Sequence, residues 1–196
     1  MVKKEIDIIV DLDGTLVPVN SFTEFVKFVF TRCKRIRPYL AFIVLLRKMR
    51  LISHAEAKRK ITVKAEKTLA PDDIAYFTEI LGSRVNEIVW DMIKWGGEVV
   101  LCTAAPEIYV RPLARKAGIG VFIATPNGGE ENSGEHKVES IKALGYEMTE
   151  NTIVITDHYD DIPLMGANRK GTNYLVNPSA ETEKKVRDAG IRYELL

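Results

Sequence analysis

The sequence predicts an α/β protein whose parallel sheet carries helices on its faces. Three observations lead there. Five short apolar segments rich in β-branched residues recur along the chain, at 6–10, 98–102, 121–124, 152–156 and 174–176, each of strand length. The last four are each followed by a stretch of helical periodicity, and that alternation implies parallel pairing with helical crossovers. The segments are also nearly continuous in apolar residues, which suits a sheet buried on both sides.

Taken in order, Ile6 to Val10 is apolar apart from Asp7 and stops abruptly at Asp11, where Asp13-Gly14 signals a turn. Residues 21–95 differ from the rest, with no convincing strand and extensive helical periodicity. Within them Ile74, Phe77, Leu81, Val85, Ile88, Val89 and Met92 recur at helical spacing and read as one helix, with Asp72 and Asp73 near its start to suit its dipole. The chain therefore divides into a core of residues 1–20 and 96–196 and an inserted helical unit of residues 21–95. In the second half, Glu107–Ala117 leads to Gly118, Glu135–Leu144 to Gly145 and Ala180–Ala189 to Gly190, each glycine a helix stop. Ile162–Asn168 reads as a short helix with Asp161 as its N-cap and Pro163 in its first turn. Asn127 to Gly134 is polar and glycine-rich, hence a loop.

The bulk properties narrow the function. Twenty-eight Lys and Arg against 27 Asp and Glu give a net charge of +1, so no global field draws the chain to nucleic acid. Cys33 and Cys102 form no CxxC or metal pattern, and the simplest setting is the reducing cytoplasm. The charged start, Met1 to Glu5, does not read as a signal peptide. The longest purely apolar run, Tyr39 to Leu46, is too short to span a bilayer.

Four polar features follow predicted strands or lie in the first turn of a predicted helix. Asp11-Leu12-Asp13-Gly14-Thr15-Leu16 closes the first strand, at the edge where open parallel sheets bind ligands. Two carboxylates so close repel unless a cation or proton intervenes, although an acidic turn would look the same. Thr103 follows the strand Glu98 to Leu101 and precedes Ala104 and Ala105, small residues that let backbone approach an anion; a helix N-cap is the plain alternative. Lys137 would pass alone for a solvated surface lysine. Asp157, Asp160 and Asp161 crowd the end of Thr152 to Thr156, which suits a hard cation held by oxygen or, equally, helix capping. Together they offer a nucleophilic carboxylate, a second acid, a hydroxyl, an ammonium and an acidic cluster, which is what phosphoryl transfer needs.

In order and spacing these residues resemble the four motifs of the haloacid dehalogenase superfamily: Asp11 to Thr15, Thr103, Lys137, and Asp157 with Asp161. The insertion after the first motif is similar to the helical cap of the phosphoserine-phosphatase-like branch, as is the run from Thr103 to Val110 and on to Pro112-Leu113-Ala114. The resemblance implies a Rossmann-like core with a helical cap. It implies a phosphatase in which Asp11 is the nucleophile and Asp13 the general acid and base. It gives Thr103 and Lys137 roles as phosphoryl ligands, with Leu12 and Ala104 contributing backbone amides. Mg²⁺ would be held by Asp11, Asp157 and the carbonyl of Asp13, with Asp161 completing the acidic site through the metal's waters or by orienting Lys137. A carboxylate at position 13 separates phosphatase or mutase chemistry from dehalogenase chemistry.

The sequence also departs from that branch. Asn20 stands where phosphoserine phosphatases carry an acid, and alanines follow Thr103 in place of glycines. The expected substrate is thus a small phosphorylated compound other than phosphoserine, met by Asn20, Ser21, Phe22 or Glu24. Thr156 stands where glycine is frequent, with little expected consequence. Phe22, Phe25, Phe28 and Phe30 read as cap core, and His54, His136 and His158 as residues the chemistry does not need. Tyr39 to Leu46, flanked by Arg32, Lys34, Arg35, Arg37, Arg47, Lys48 and Arg50, reads as a buried cap helix with snorkelling basic ends; an anionic membrane surface is its alternative reading. A phospho-receiver, which also uses Asp, Thr and Lys, lacks the second acid and the insertion. A scaffold on a decayed enzyme core would not keep the full set. A phosphomutase is the remaining alternative. Oligomeric state is not legible.

Overall fold

A computed structural model describes residues 4–196. Its main sheet has six parallel strands in the order β4-β3-β2-β6-β7-β8. These are β2 (Ile8–Val10), β3 (Val99–Pro106), β4 (Val121–Thr125), β6 (Ile153–Thr156), β7 (Thr172–Leu175) and β8 (Glu194–Leu195). The chain starts in the middle at β2, works outward to β4, then returns to the other side of β2 and works outward to β8. Strand order reverses between β2 and β6, and in such sheets the crevice beyond the strand ends at that point is where ligands bind. A separate parallel pair joins β1 (Lys4–Glu5) to β5 (Tyr146–Glu147).

Alternation along the central strand sorts side chains onto two cores. Ile8 and Val10 join one hydrophobic cluster and Ile9 the other, all fully buried. The first face is covered by α6 (Glu107–Lys116) and by the helices of the insertion. The second is covered by α7 (Glu135–Ala143), α8 (Ile162–Ala167) and α9 (Ala180–Asp188). A sheet buried on both faces explains the unbroken apolar strands.

Between β2 and β3 the chain makes a short loop closed by an Asp13–Val17 bridge and then a run of helices: α1 (Ser21–Arg32), a short 3-10 turn, α2 (Arg37–Lys48), α3 (His54–Glu66), α4 (Pro71–Gly82) and α5 (Glu87–Trp95). Their starts are written locally. Asn20, Ser53 and Asn86 cap α1, α3 and α5 by accepting from backbone amides, and Pro71 begins α4. Phe25, Phe77 and Tyr109 stack with ring centroids 5.0 to 5.3 Å apart, so α1 and α4 share one core with α6.

Several expectations need correction. The single helix read through Ile74 to Met92 is two, because Asn86 turns its side chain back onto the Ile88 amide and its own N–H is held by the Leu16 carbonyl. Strand β3 runs past Leu101 to Pro106, through the small residues that had suggested a strand end. Of the four aromatics assigned to the cap core, Phe30 is exposed and lies under the Arg37 guanidinium. Helix α2 buries only Leu40 and Ile43 and leaves Phe42, Val44 and Leu45 about half exposed, so it is not a buried helix. In agreement with their sequence setting, both cysteines are free.

Candidate active site

Asp11 leaves the end of β2 with its amide still bonded to the Ile155 carbonyl of β6. Its carboxylate therefore sits at the sheet's reversal point. Across that point Lys137, in the first turn of α7 and only 3% exposed, places Nζ 2.8 Å from Asp11 Oδ1. The same Nζ lies 2.7 Å and 2.9 Å from the two oxygens of Asp161. Burial alone disfavours the ammonium, but Asp11 and Asp161 outweigh it and hold Lys137 protonated well above its usual range. One buried cation thus bridges two acids that are 150 residues apart in sequence.

Asp161 does not cap α8, since its side chain makes no capping hydrogen bond there. It is instead fixed by Lys137 and by the Thr156 hydroxyl, which donates at 2.6 Å. Thr156 therefore has a consequence that its sequence position did not suggest: a glycine there would leave Asp161 with one fewer partner.

Asp13 Oδ1 accepts from the Ser21 amide at the start of α1, 2.9 Å away, while the Ser21 and Tyr109 hydroxyls share a 3.0 Å hydrogen bond. Burial raises the Asp13 carboxyl above its ordinary value despite that bond. The turn that follows Asp13 needs Gly14, whose φ is +71°. A Cβ there would fall 2.0 Å from Asp157 Oδ2, so the Asp157 carboxylate occupies space that only glycine leaves free.

Thr103 sits in an irregular stretch of β3. Cys102 pairs with Ile123 and Pro106 with Thr125, so three residues of β3 face one of β4, a bulge of the kind that re-aims side chains. Thr103 Oγ1 accepts from the Ala105 amide at 3.1 Å, leaving its O–H to donate. The bulge is pinned from behind by Asn132, which donates to the Thr103 carbonyl at 3.1 Å and whose own amide is held by Thr125 Oγ1.

These groups line a cavity of about 310 Å³ that brings together Asp11, Asp13, Asn20, Thr103, Ala104, Lys137, Asp157 and Asp161. Leu12 stands behind it with its side chain fully buried in the core. Asn20 is committed in part elsewhere, accepting from the Thr23 amide as the cap of α1. A larger cavity of about 560 Å³ lies between the α4–α5 region and the sheet, lined by residues such as Val85, Trp90 and Leu113. It holds no cluster of buried acids, so the smaller cavity is the candidate site.

The same cavity is lined by residues that sequence reasoning did not assign to it. From α3 come His54 and Lys58, and from the loop after β4 comes Glu131. Lys58 is buried, pairs with Glu131 and donates to the Ala104 carbonyl at 3.2 Å. Burial, then the Lys58 charge, pushes the His54 pKa down. His158 also lines it, with its ring 4.0 Å from that of Tyr159. Glu24 instead pairs with Lys27 and Arg84.

Acidic side chains dominate the electrostatics of the cavity. Burial, and then the charges of Asp11 and Asp161, raise Asp157 to about 7. Burial, against the pull of Lys137, raises Asp11 to about 6. Asp11 and Asp161 share the Lys137 ammonium, while among the described residues Asp13 and Asp157 form no ion pair and Lys58 is engaged by Glu131. Hard oxygen donors with surplus negative charge fit a divalent cation such as Mg²⁺. Among the described residues, no three His, Cys, Asp or Glu side chains already converge as a ready-made ligand set; Lys137 holds Asp11 and Asp161, and Ser21 holds Asp13.

Fold and site together define a doubly wound α/β protein with a carboxylate-rich pocket at the reversal point of its sheet. The chain belongs to the haloacid dehalogenase-like hydrolase family, whose model matches residues 8–166. No curated protein sequence matches it. Among solved structures it is similar to a protein of unknown function from Bordetella pertussis Tohama I, at TM-score 0.74 and 18% identity over 98% of both chains. It is also similar to a probable phosphoserine phosphatase from Vibrio cholerae, at TM-score 0.66 and 15% identity, over 93% of this chain and 59% of that one. A phosphoserine phosphatase carrying a phospho-aspartyl intermediate analogue superposes at TM-score 0.54 and 18% identity, over 93% and 91%. At these identities the likeness is one of fold.

Proposed function

We propose that this hydrolase is a Mg²⁺-dependent phosphatase of small phosphomonoesters, of the phosphoserine-phosphatase-like branch, working through an aspartyl phosphate on Asp11. Residues 21–95 are its cap and residues 1–20 and 96–196 its core. The observation that carries the reading is the buried ammonium of Lys137 set against Asp11, with the separately held carboxyl of Asp13 two residues away.

Each residue has a task that its surroundings suit. Lys137 offsets the charge that gathers where the Asp11 oxygen meets phosphorus, and Asp161 with Thr156 fixes the ammonium in place. The Asp11 oxygen bonds to phosphorus as the ester P–O bond breaks. Asp13, whose carboxyl burial raises above its ordinary value, passes a proton to the leaving oxygen. Water then attacks the phosphorus of the aspartyl phosphate while Asp13 takes up the water's proton, and Asp11 is restored. Thr103 donates its free O–H to a phosphoryl oxygen, and the backbone at Leu12 and Ala104 offers amides. Mg²⁺, held by Asp11, Asp157 and the Asp13 carbonyl, would supply charge neutralisation at the phosphoryl oxygens. Asn20, His54 and Lys58 meet the leaving group at the cap side of the cavity.

The test is phosphate release from an aryl phosphate and a panel of metabolites by wild type and Asp11→Asn, with and without Mg²⁺. Turnover should require both the ion and Asp11. Activity that survives Asp11→Asn would remove Asp11 as nucleophile.

A further inference from the structure

Helix α2 has the wrong face outward for an ordinary surface helix. Pro38, Ala41, Phe42, Leu45 and the C-cap Met49 follow one stripe at three- and four-residue intervals, and all five are exposed. Phe42, Leu45 and Met49 are 55%, 51% and 59% exposed, and Leu51 beyond them 63%. Leu40 and Ile43, on the opposite side, already pack the cap core. The helix is thus apolar on two faces, one of which is largely exposed to solvent, and a contiguous exposed apolar patch marks an interaction surface.

Charge identifies what would cover it. Residues 25–55 carry eight Lys or Arg and no Asp or Glu, while the rest of the chain carries 20 basic residues against 27 acidic ones. The cations sit at both ends of the stripe: Lys34 and Arg35 before α2, and Arg47, Lys48 and Arg50 at and beyond its last turn. Among the described residues these five form no ion pair, although most other basic residues near the cap do so, such as Lys27 with Glu24 and Arg32 with Asp73. A nucleic acid would be met by cations in the middle of the patch; here its middle is apolar and its ends are cationic. That is the pattern of a segment lying flat in the interface of an anionic bilayer, with the apolar stripe among the acyl chains and the cations at the headgroups. No helix of the described residues is long and apolar enough to cross a membrane, so the contact is peripheral.

We infer that the outward face of α2, with Met49 and Leu51, docks this protein on anionic lipid membranes. The docking does not depend on the chemistry at Asp11. It places the membrane beside α3, which packs on α2 and whose first residue, His54, lines the catalytic cavity.

The experiment is co-sedimentation of the full chain with vesicles of phosphatidylcholine alone and of phosphatidylcholine mixed with phosphatidylglycerol, at low and high salt. The variants are Phe42→Ser with Leu45→Ser, and Arg47→Glu with Lys48→Glu. Wild type should bind the anionic vesicles, release in high salt and ignore the neutral ones. The charge variant should weaken binding by at least roughly fivefold for each cation lost, and the apolar variant by about tenfold or more, both with unchanged turnover of a soluble aryl phosphate. Wild type that fails to bind anionic vesicles at low salt would overturn the inference. Binding that the apolar variant leaves intact would do so too. Self-association abolished by Phe42→Ser with Leu45→Ser, without vesicle binding, would assign the face to a second copy and equally overturn it.

Discussion

Replacing Lys137 by Met keeps the volume of the side chain and removes its charge. Lys137 and Asp161 are almost fully buried and Asp11 nearly so, so solvent screens the three little, and the loss strands two carboxylates in the interior. Breaking a buried pair by removing one partner costs about 3–5 kcal/mol when the remaining charge must stay ionised. For a chain of this size that is roughly 6–20 °C in melting temperature. The sign with pH follows from Asp11. Its folded pKa of about 6 already lies above the ordinary carboxyl value, and loss of Lys137 raises it further. A group that holds its proton more tightly folded than unfolded contributes less stability as pH rises between the two values. The variant should therefore be most destabilised near pH 8 and approach wild type near pH 5, where Asp11 protonates. Thermal denaturation at both pH values, without added metal, reads this directly. A deficit of equal size at pH 5 and pH 8 would refute the bridging role of the ammonium, as would phosphatase turnover within a few-fold of wild type.

Other perturbations bear on the acids. Gly14→Ala should cost about 1–2 kcal/mol from the left-handed backbone alone. Its methyl also displaces the Asp157 carboxylate, so the variant should lose Mg²⁺-dependent turnover even where calorimetry shows it folded; a folded Gly14→Ala with normal metal dependence would contradict the placement of Asp157. Metal affinity should climb with pH through the window set by Asp11 at about 6 and Asp157 at about 7, by up to about tenfold per pH unit for each proton released. Isothermal titration with Mg²⁺ between pH 5.5 and 8 (about the range of those values) checks it, and a flat profile would mean the cation does not meet these carboxylates.

What could be read from the sequence was local. The apolar run before Asp11, the Asp13-Gly14 turn and the acids after Thr156 are neighbours in the chain, so their placement at strand ends follows from the strand assignment. Lys137 could be singled out only because the other three features set a chemical context for it. The contacts that join Lys58 to Glu131, or Asn132 to Thr103, span 73 and 29 residues and involve residue types common on surfaces, so nothing local marks them. The break between α4 and α5 was hidden because apolar spacing continued across it, and only the hydrogen bond from Asn86 to the distant Leu16 carbonyl ends the helix. The exposure of α2 was hidden for a related reason: an apolar helix reads as buried until the number of neighbours available to cover it is known. Thr156 was passed over because its value lies in a hydroxyl aimed at Asp161, a matter of geometry and not of residue class.

The central claim is that Asp11 carries the phosphoryl group in turnover, and chemical trapping tests it most directly. Enzyme mixed with an aryl phosphate and Mg²⁺ is quenched with borohydride, which reduces an acyl phosphate to the alcohol, and the peptide containing residue 11 is examined by mass spectrometry. Homoserine should appear at position 11 only when substrate and metal are both present, and not at Asp13 or Asp157. Phosphate release with position 11 unmodified, or homoserine at another acid of the cavity, would contradict it.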